Sequence, residues 1–101
     1  MLVGVTMYPL GMEGSFAQPV SEVIEEIERA KLRHQVTALE TIVEGEWEEV
    51  MPVIHSAYRR VLEHHPRVLL ELRIDEHEGA KDRLWESVRD VDRALGHPVD
   101  R

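Results

Sequence analysis

HQVTALETIVEGEW, His34 to Trp47, holds two short β-compatible runs with almost nothing between them. HQVTAL alternates apolar and polar positions, and TIVE rests on β-branched residues that are stiff at χ1. Strands joined so tightly form an antiparallel hairpin, because a parallel pair needs a crossover of about a dozen residues or more. The turn falls near Ala38 to Glu40, although no Asn-Gly or Asp-Gly marks it. Glu44 and Gly45 stop the second run, and the acids that follow suit a first helical turn. The hairpin therefore opens directly into a helix.

Working outward, LVGVTMYP reads as a strand with Val3, Val5 and Met7 on one face and Gly4, Thr6 and Tyr8 on the other. Pro9, Gly11 and Gly14 break it into a loop. Pro19 suits an opening helical turn, and Val20, Val23, Ile24 and Ile27 follow at helical spacing, predicting a helix over 19–31. Its other face, Glu22, Glu25, Glu26, Glu28 and Arg29, is expected to be solvated. Beyond the hairpin, Trp47, Val50, Met51, Ile54, Ala57, Tyr58, Val61 and Leu62 predict a helix over 47–64, with Pro52 bending it or loosening its first turn. RVLLELRID is the strongest strand: Val68, Leu70, Leu72 and Ile74 face one way, Leu69, Glu71, Arg73 and Asp75 the other. After the loop HEGAKD, Leu84, Trp85, Val88, Val91 and Leu95 mark a last helix.

The order is βαββαβ followed by α. This is an α+β chain: a ferredoxin-like βαββαβ sandwich with a C-terminal helix, its four-stranded antiparallel sheet covered by helices on one face only. The expected core is Val3, Val5, Ile24, Ile27, Ile54, Tyr58, Leu70, Leu72 and Ile74. The uncovered face should carry Thr6, Tyr8, Thr37, Leu69, Glu71 and Arg73, with Leu2 near its edge. That mixture of apolar and polar groups fits an oligomer interface or a ligand platform better than a purely wet surface.

At 101 residues the chain is too short for two independent cores, so residues 1–101 are expected to form one domain. The net charge of −8, with only one Phe, two Tyr and two Trp, disfavours both phosphate-backbone binding and base stacking, so no nucleic-acid partner is expected. Without cysteine there is neither disulfide nor thiolate metal site. No run approaches the roughly 20 apolar residues of a membrane span, and MLVGVTMYPL has no basic region ahead of it. A cytoplasmic protein without a membrane partner is expected.

Catalytic chemistry is hard to find. The six histidines, His34, His55, His64, His65, His77 and His97, show no HxH or HxxxH spacing with a carboxylate on a common face, so no metal site is expected. The serines lack a nucleophile elbow, and GMEGS, Gly11 to Ser15, matches neither phosphate-loop pattern, so its glycines read as tight turns. Glu44 and Asp75 are more informative, since each closes a β-run at its C-terminal end. A strand-end acid can serve a turn or a helix cap, or it can meet an amino-heterocycle or a cation.

YPLGMEGSFAQPVSEVIEEIE, TIVEGEWEEVM, RVLLELRID and WESV together resemble the small thiamine-binding-protein-like family, the YkoF-like proteins of ferredoxin-like fold. The resemblance spans nearly all of residues 1 to 95, and TIVEGEW is its most specific piece. It implies a non-enzymatic binder of thiamine or its hydroxymethylpyrimidine moiety, with no cofactor, assembled as a homo-oligomer, typically a tetramer. The ligand-binding positions it implies are Ser15, Thr41, Glu44 and Asp75. Thr6, Tyr8 and Thr37 are further candidates, because their side chains should share the open face. One departure stands out: the family commonly reads PMGT before IxEG, whereas this chain reads ALET, Ala38 to Thr41. Glu40 in place of glycine changes the hairpin turn and brings a charge beside the site. Two other readings compete, a small α+β-barrel enzyme using His34 or His55, and an assembly module whose sheet face binds only its own copies.

Overall fold

The computed structural model describes residues 1–11 and 13–100; within GMEGS, Met12 lies outside the described residues. The elements run β1 (Leu2–Pro9), α1 (Ala17–Arg29), β2 (Arg33–Val36), β3 (Thr41–Glu44), α2 (Trp47–Leu62), β4 (Val68–Asp75) and α3 (Arg83–Leu95). The strands form one antiparallel sheet in the order β2-β3-β1-β4. This is the ferredoxin-like arrangement expected from the element order.

Strand alternation fixes the two faces. Val3 lies opposite Val43 and Ile74, and Val5 opposite Thr41 and Leu72. These residues face α1 and α2, where Val23, Ile27, Val50, Ile54, Ala57 and Val61 complete a buried core with Val3, Val5, Met7 and Val43. Tyr58, Leu70 and Leu72 pack against that core while remaining partly exposed. Ile74 shares the face but is 43% exposed, and Ile24 is only half-buried; neither belongs to the centre expected for it.

Three other expectations are corrected. α1 begins at Ala17 rather than Pro19, with Ser15 Oγ accepting the Ala17 N–H at 3.0 Å. Its buried stripe is Pro19, Glu22, Val23 and Ile27, so Glu22 is turned inward and Val20 is 36% exposed. Gln18 Nε2 donates to Glu22 at 3.4 Å, which gives that inward carboxylate a polar neighbour. The first strand of the hairpin is shorter than the sequence pattern implies. β2 stops at Val36, and Thr37 gathers the turn: its N–H and hydroxyl both donate to Glu40 O at 2.9 Å, and its oxygen accepts from Leu39 N and Glu40 N. A threonine side chain supplies what Asn-Gly supplies elsewhere. α2 runs unbroken from Trp47 to Leu62 through Pro52, its start fixed by Glu49 Oε1 accepting the Glu46 N–H at 3.0 Å.

The third correction concerns coverage. α1 and α2 lie together on one face, but α3 starts on the other, as Glu44 shows below. Leu84 is its one fully buried residue, while Val91 and Leu95 are about half exposed. The radius of gyration, 14.9 Å, exceeds the roughly 13 Å of a compact chain of this length, and the molecule measures 47 × 30 × 21 Å.

Candidate functional site

The acids at the strand ends come first, because TIVEGEW raised them. On the open face, Arg33, Glu44, Leu2 and Asp75 form one row across all four strands. The first turn of α3 docks on this row. Glu44 accepts the Arg83 N–H at 2.6 Å and the Leu84 N–H at 3.2 Å, with the Arg33 guanidinium 3.7 Å away. A helix start has unpaired N–H groups and a positive dipole end, and a carboxylate satisfies both. Asp75 pairs with Arg83 Nη2 at 2.8 Å, and Arg33 also pairs with Asp82. The hydrogen bond from Arg83 holds the Asp75 carboxyl below its usual range, and the same bond raises the Arg83 guanidinium. Asp82 reaches this position with φ at 56°, a left-handed conformation that Asp tolerates better than most residues. This end of the sheet is largely occupied by the chain's own groups, with Arg83 Nη1 buried and without a partner among the described residues.

The opposite end differs. β3 has four residues and β1 has eight, so the β1–β3 register ends at Val5–Thr41 and β1 continues alone on that side. A groove of about 160 Å³ opens in the notch. Val5 to Tyr8 form one wall, the turn from Val36 to Thr41 another, and Phe16, Val20 and Val23 the third. Tyr8 and Phe16 meet edge to face, ring centroids 6.1 Å apart at 72°. The lining is largely apolar, and Thr6, Tyr8 and Thr41 border it, the first two from the open-face side of β1 and Thr41 from the helix side.

The seven candidate residues therefore divide. Thr6, Tyr8, Thr37 and Thr41 line the groove, while Glu44 and Asp75 sit at the far end of the sheet under α3. Ser15 lies in neither place; it is exposed and bonded to Ala17 N. Among the four groove residues, Thr37 has its hydroxyl committed to the turn. Thr6, Tyr8 and Thr41 have side-chain hydroxyls with no partner among the described residues. Thr41 is the buried one at 5% exposure, and it faces the helices rather than the open sheet.

Sequence reasoning missed Phe16, Val20 and Leu39 as groove residues. Phe16 could have been found, since a lone Phe beside a glycine loop had no place in either predicted stripe. Glu40, the departure from the family pattern, belongs to the turn that walls the groove, but its carboxylate is engaged elsewhere. Its carboxylate lies over Gly4 on the open face and accepts from Arg73 Nη2 at 2.6 Å. A Cβ at Gly4 would come within 2.5 Å of it, so the missing side chain makes room for the charge. Of the histidines invoked for an enzyme, His34 has Nδ1 2.9 Å from Leu32 O and His55 is exposed. No three His, Asp or Glu side chains among the described residues converge as metal ligands would.

A family model described as thiamine-binding protein matches residues 3–92. The chain belongs to the thiamine-binding protein family. Within and around that family, it is 26% identical over 87 residues to a UPF0045 protein of Methanocaldococcus jannaschii, covering 86% of this chain and 87% of the relative. A crystal structure of a hypothetical protein from the same organism superposes with a TM-score of 0.82 at 26% identity, over 89% of this chain and 93% of that one. A Thermotoga maritima protein, assigned provisionally to thiamine biosynthesis or salvage, gives 0.78 at 27% identity over 89% and 96%. Family membership accounts for the order of elements. Among the described residues, no helix is long and apolar enough to cross a membrane.

Proposed function

We propose that this protein binds thiamine through its hydroxymethylpyrimidine moiety, or that pyrimidine alone, in the groove beyond the end of β3, and that it does no chemistry on it. One observation carries the reading. In a chain of the thiamine-binding family, a small apolar groove with an aromatic pair is bordered by Thr6, Tyr8 and Thr41, whose hydroxyls have no partner among the described residues. Its volume of about 160 Å³ is below the roughly 300–1,000 Å³ of pockets for drug-sized ligands, so it suits one ring rather than a whole two-ring vitamin. A flat ring gains apolar contact with Tyr8 and Phe16, and hydroxyls that donate and accept can follow its polar edge. The thiazolium of thiamine would lie outside, where a chain of net charge −8 favours a cation.

The same reading has the protein act in the cytoplasm as a homo-oligomer, a tetramer, with the open face and α3 as its contact surfaces. Leu69, Val91 and Leu95, between 45% and 50% exposed, are apolar groups that assembly would cover. Light scattering should return a multiple of 11.7 kDa; the single-chain mass at working concentration would remove the assembly. Calorimetric titration with thiamine, hydroxymethylpyrimidine and the thiazole half alone tests the ligand. The first two should bind and the third should not. Binding of the thiazole alone, or of none of the three, would overturn the reading.

A further inference from the structure

The notch beside β1 has a second property, visible in the backbone. In an antiparallel ladder, alternate residues direct both their N–H and C=O to one neighbouring strand. Two bonds beyond the paired stretches fix the alternation here. Gly45 N donates to Met1 O at 3.1 Å, so Met1, Val3 and Val5 direct their peptide groups to β3. Leu10 N donates to Arg67 O at 2.9 Å, so Leu2, Gly4, Thr6 and Tyr8 direct theirs to β4. Met7 is next in the first series. Its N–H and C=O point to the side where β3 has already ended, into the groove wall, and neither has a partner among the described residues.

A free peptide edge in open solvent would be unremarkable, because water completes it. Met7 is only 6% exposed. Buried backbone groups are almost always paired, and leaving them unpaired is costly. The residue that would continue the ladder, Leu39, has its own N–H bonded to Thr37 Oγ1 at 3.2 Å. Nor can another strand add itself here at any length. Thr41 closes the notch on one side, and on the other Pro9 has no N–H to offer. What remains is one donor and one acceptor from a single extended residue, side by side, at the wall of a groove beside the Tyr8–Phe16 pair.

We propose that the Met7 main chain is the recognition edge of this groove, and that its ligand class is a flat heterocycle presenting a ring nitrogen acceptor next to an exocyclic amino donor. The Met7 N–H donates to the ring nitrogen and the Met7 C=O accepts from the amino group. The inference deepens the proposed function and rests on the same groove. It adds a backbone edge to the hydroxyls of that reading, and it makes the amino group, rather than ring charge, the feature selected. A heterocycle lacking that group leaves the Met7 carbonyl buried and unpaired, a penalty that discriminates more sharply than lost apolar contact.

The test uses the whole protein with three probes: 4-amino-5-hydroxymethyl-2-methylpyrimidine, the same ring without its amino group, and the same ring with a dimethylamino group. The first should bind, and the other two should bind at least about tenfold more weakly, the loss of one hydrogen bond. In nitrogen-15 spectra of the protein, the Met7 amide should show one of the largest downfield shifts with the first probe. Equal affinity for the amino and desamino rings, or binding that leaves the Met7 amide unmoved while Glu44, Asp75 or Arg83 respond, would overturn this inference and leave pyrimidine binding standing. Failure of every pyrimidine to bind would overturn both.

Discussion

The two ends of the sheet treat polar groups in opposite ways. At the Glu44 end, a carboxylate, two arginines and a helix start bond one another, and among the described residues only Arg83 Nη1 is buried there without a partner. At the Met7 end, an apolar groove is bordered by three hydroxyl-bearing residues and a pair of peptide groups that have no partner among the described residues. Charge draws attention to the first end, yet more groups without a partner among the described residues lie at the second. A strand-end carboxylate in the sequence is not by itself an invitation. Whether its lone pairs are taken depends on a helix that begins 39 residues later.

The largest effect should come from removing the clasp at the occupied end. Glu44→Ala frees the first N–H groups of α3 and leaves Arg33 without its strand neighbour, costing about 2 kcal/mol of stability by denaturant unfolding. Pyrimidine affinity should be unchanged. A drop in affinity with stability intact would invert the comparison between the two ends. Next comes Thr41→Val, which keeps the shape of a buried groove residue and removes its hydroxyl. Affinity for hydroxymethylpyrimidine should fall about three- to tenfold by calorimetry, the worth of one neutral hydrogen bond. An unchanged constant would take Thr41 out of the site.

The smallest effect concerns acid. Because the folded-state pKa of Asp75 is depressed by Arg83, its contribution is complete above the unfolded value near 3.8 and is lost as pH falls through the lower folded value. Asp75→Asn should therefore lower stability slightly at neutral pH, with the two proteins converging in acid melts below about pH 4. Solvent screening of this exposed pair keeps the gap small. A gap that widened in acid would mean that Asp75 is not the partner of Arg83 in solution.

Much of this was legible before any coordinates. Alternation in LVGVTMYP and VLLELRID assigned both faces of the long strands, because one face must be buried and a one-residue slip would expose it. The helical stripe from Trp47 to Leu62 was legible for the same reason. The helix of Glu22 was less so, since a lone acid turned inward breaks the pattern without a local mark. The hairpin turn was placed near Ala38 to Glu40, but the end of β2 was set three residues late because a threonine side chain, not a glycine, organises the turn. Of the candidate site, Thr6, Tyr8 and Thr41 were named, but for reasons of face and family. That they surround a notch follows from β3 being half as long as β1, and no residue type announces a strand's length relative to its neighbour. Glu44 was noticed for its position, while its partner amides lie on a distant segment and carry no residue signature at all.

The clasp also divides the molecule by lifetime. α3 is joined to the sheet through its first turn, by the Glu44, Asp75 and Arg33 contacts and the burial of Leu84, and little else anchors the turns beyond. Stability in such a fold is not uniform, and elements with few buried contacts open on their own at lower free energy than the core. Amide protons of α3 should therefore exchange with solvent as one cooperative group, ahead of those of β1 and α2. A copy that covered Val91 and Leu95 would slow that group alone, so the exchange rate of the last helix would serve as a clock for association.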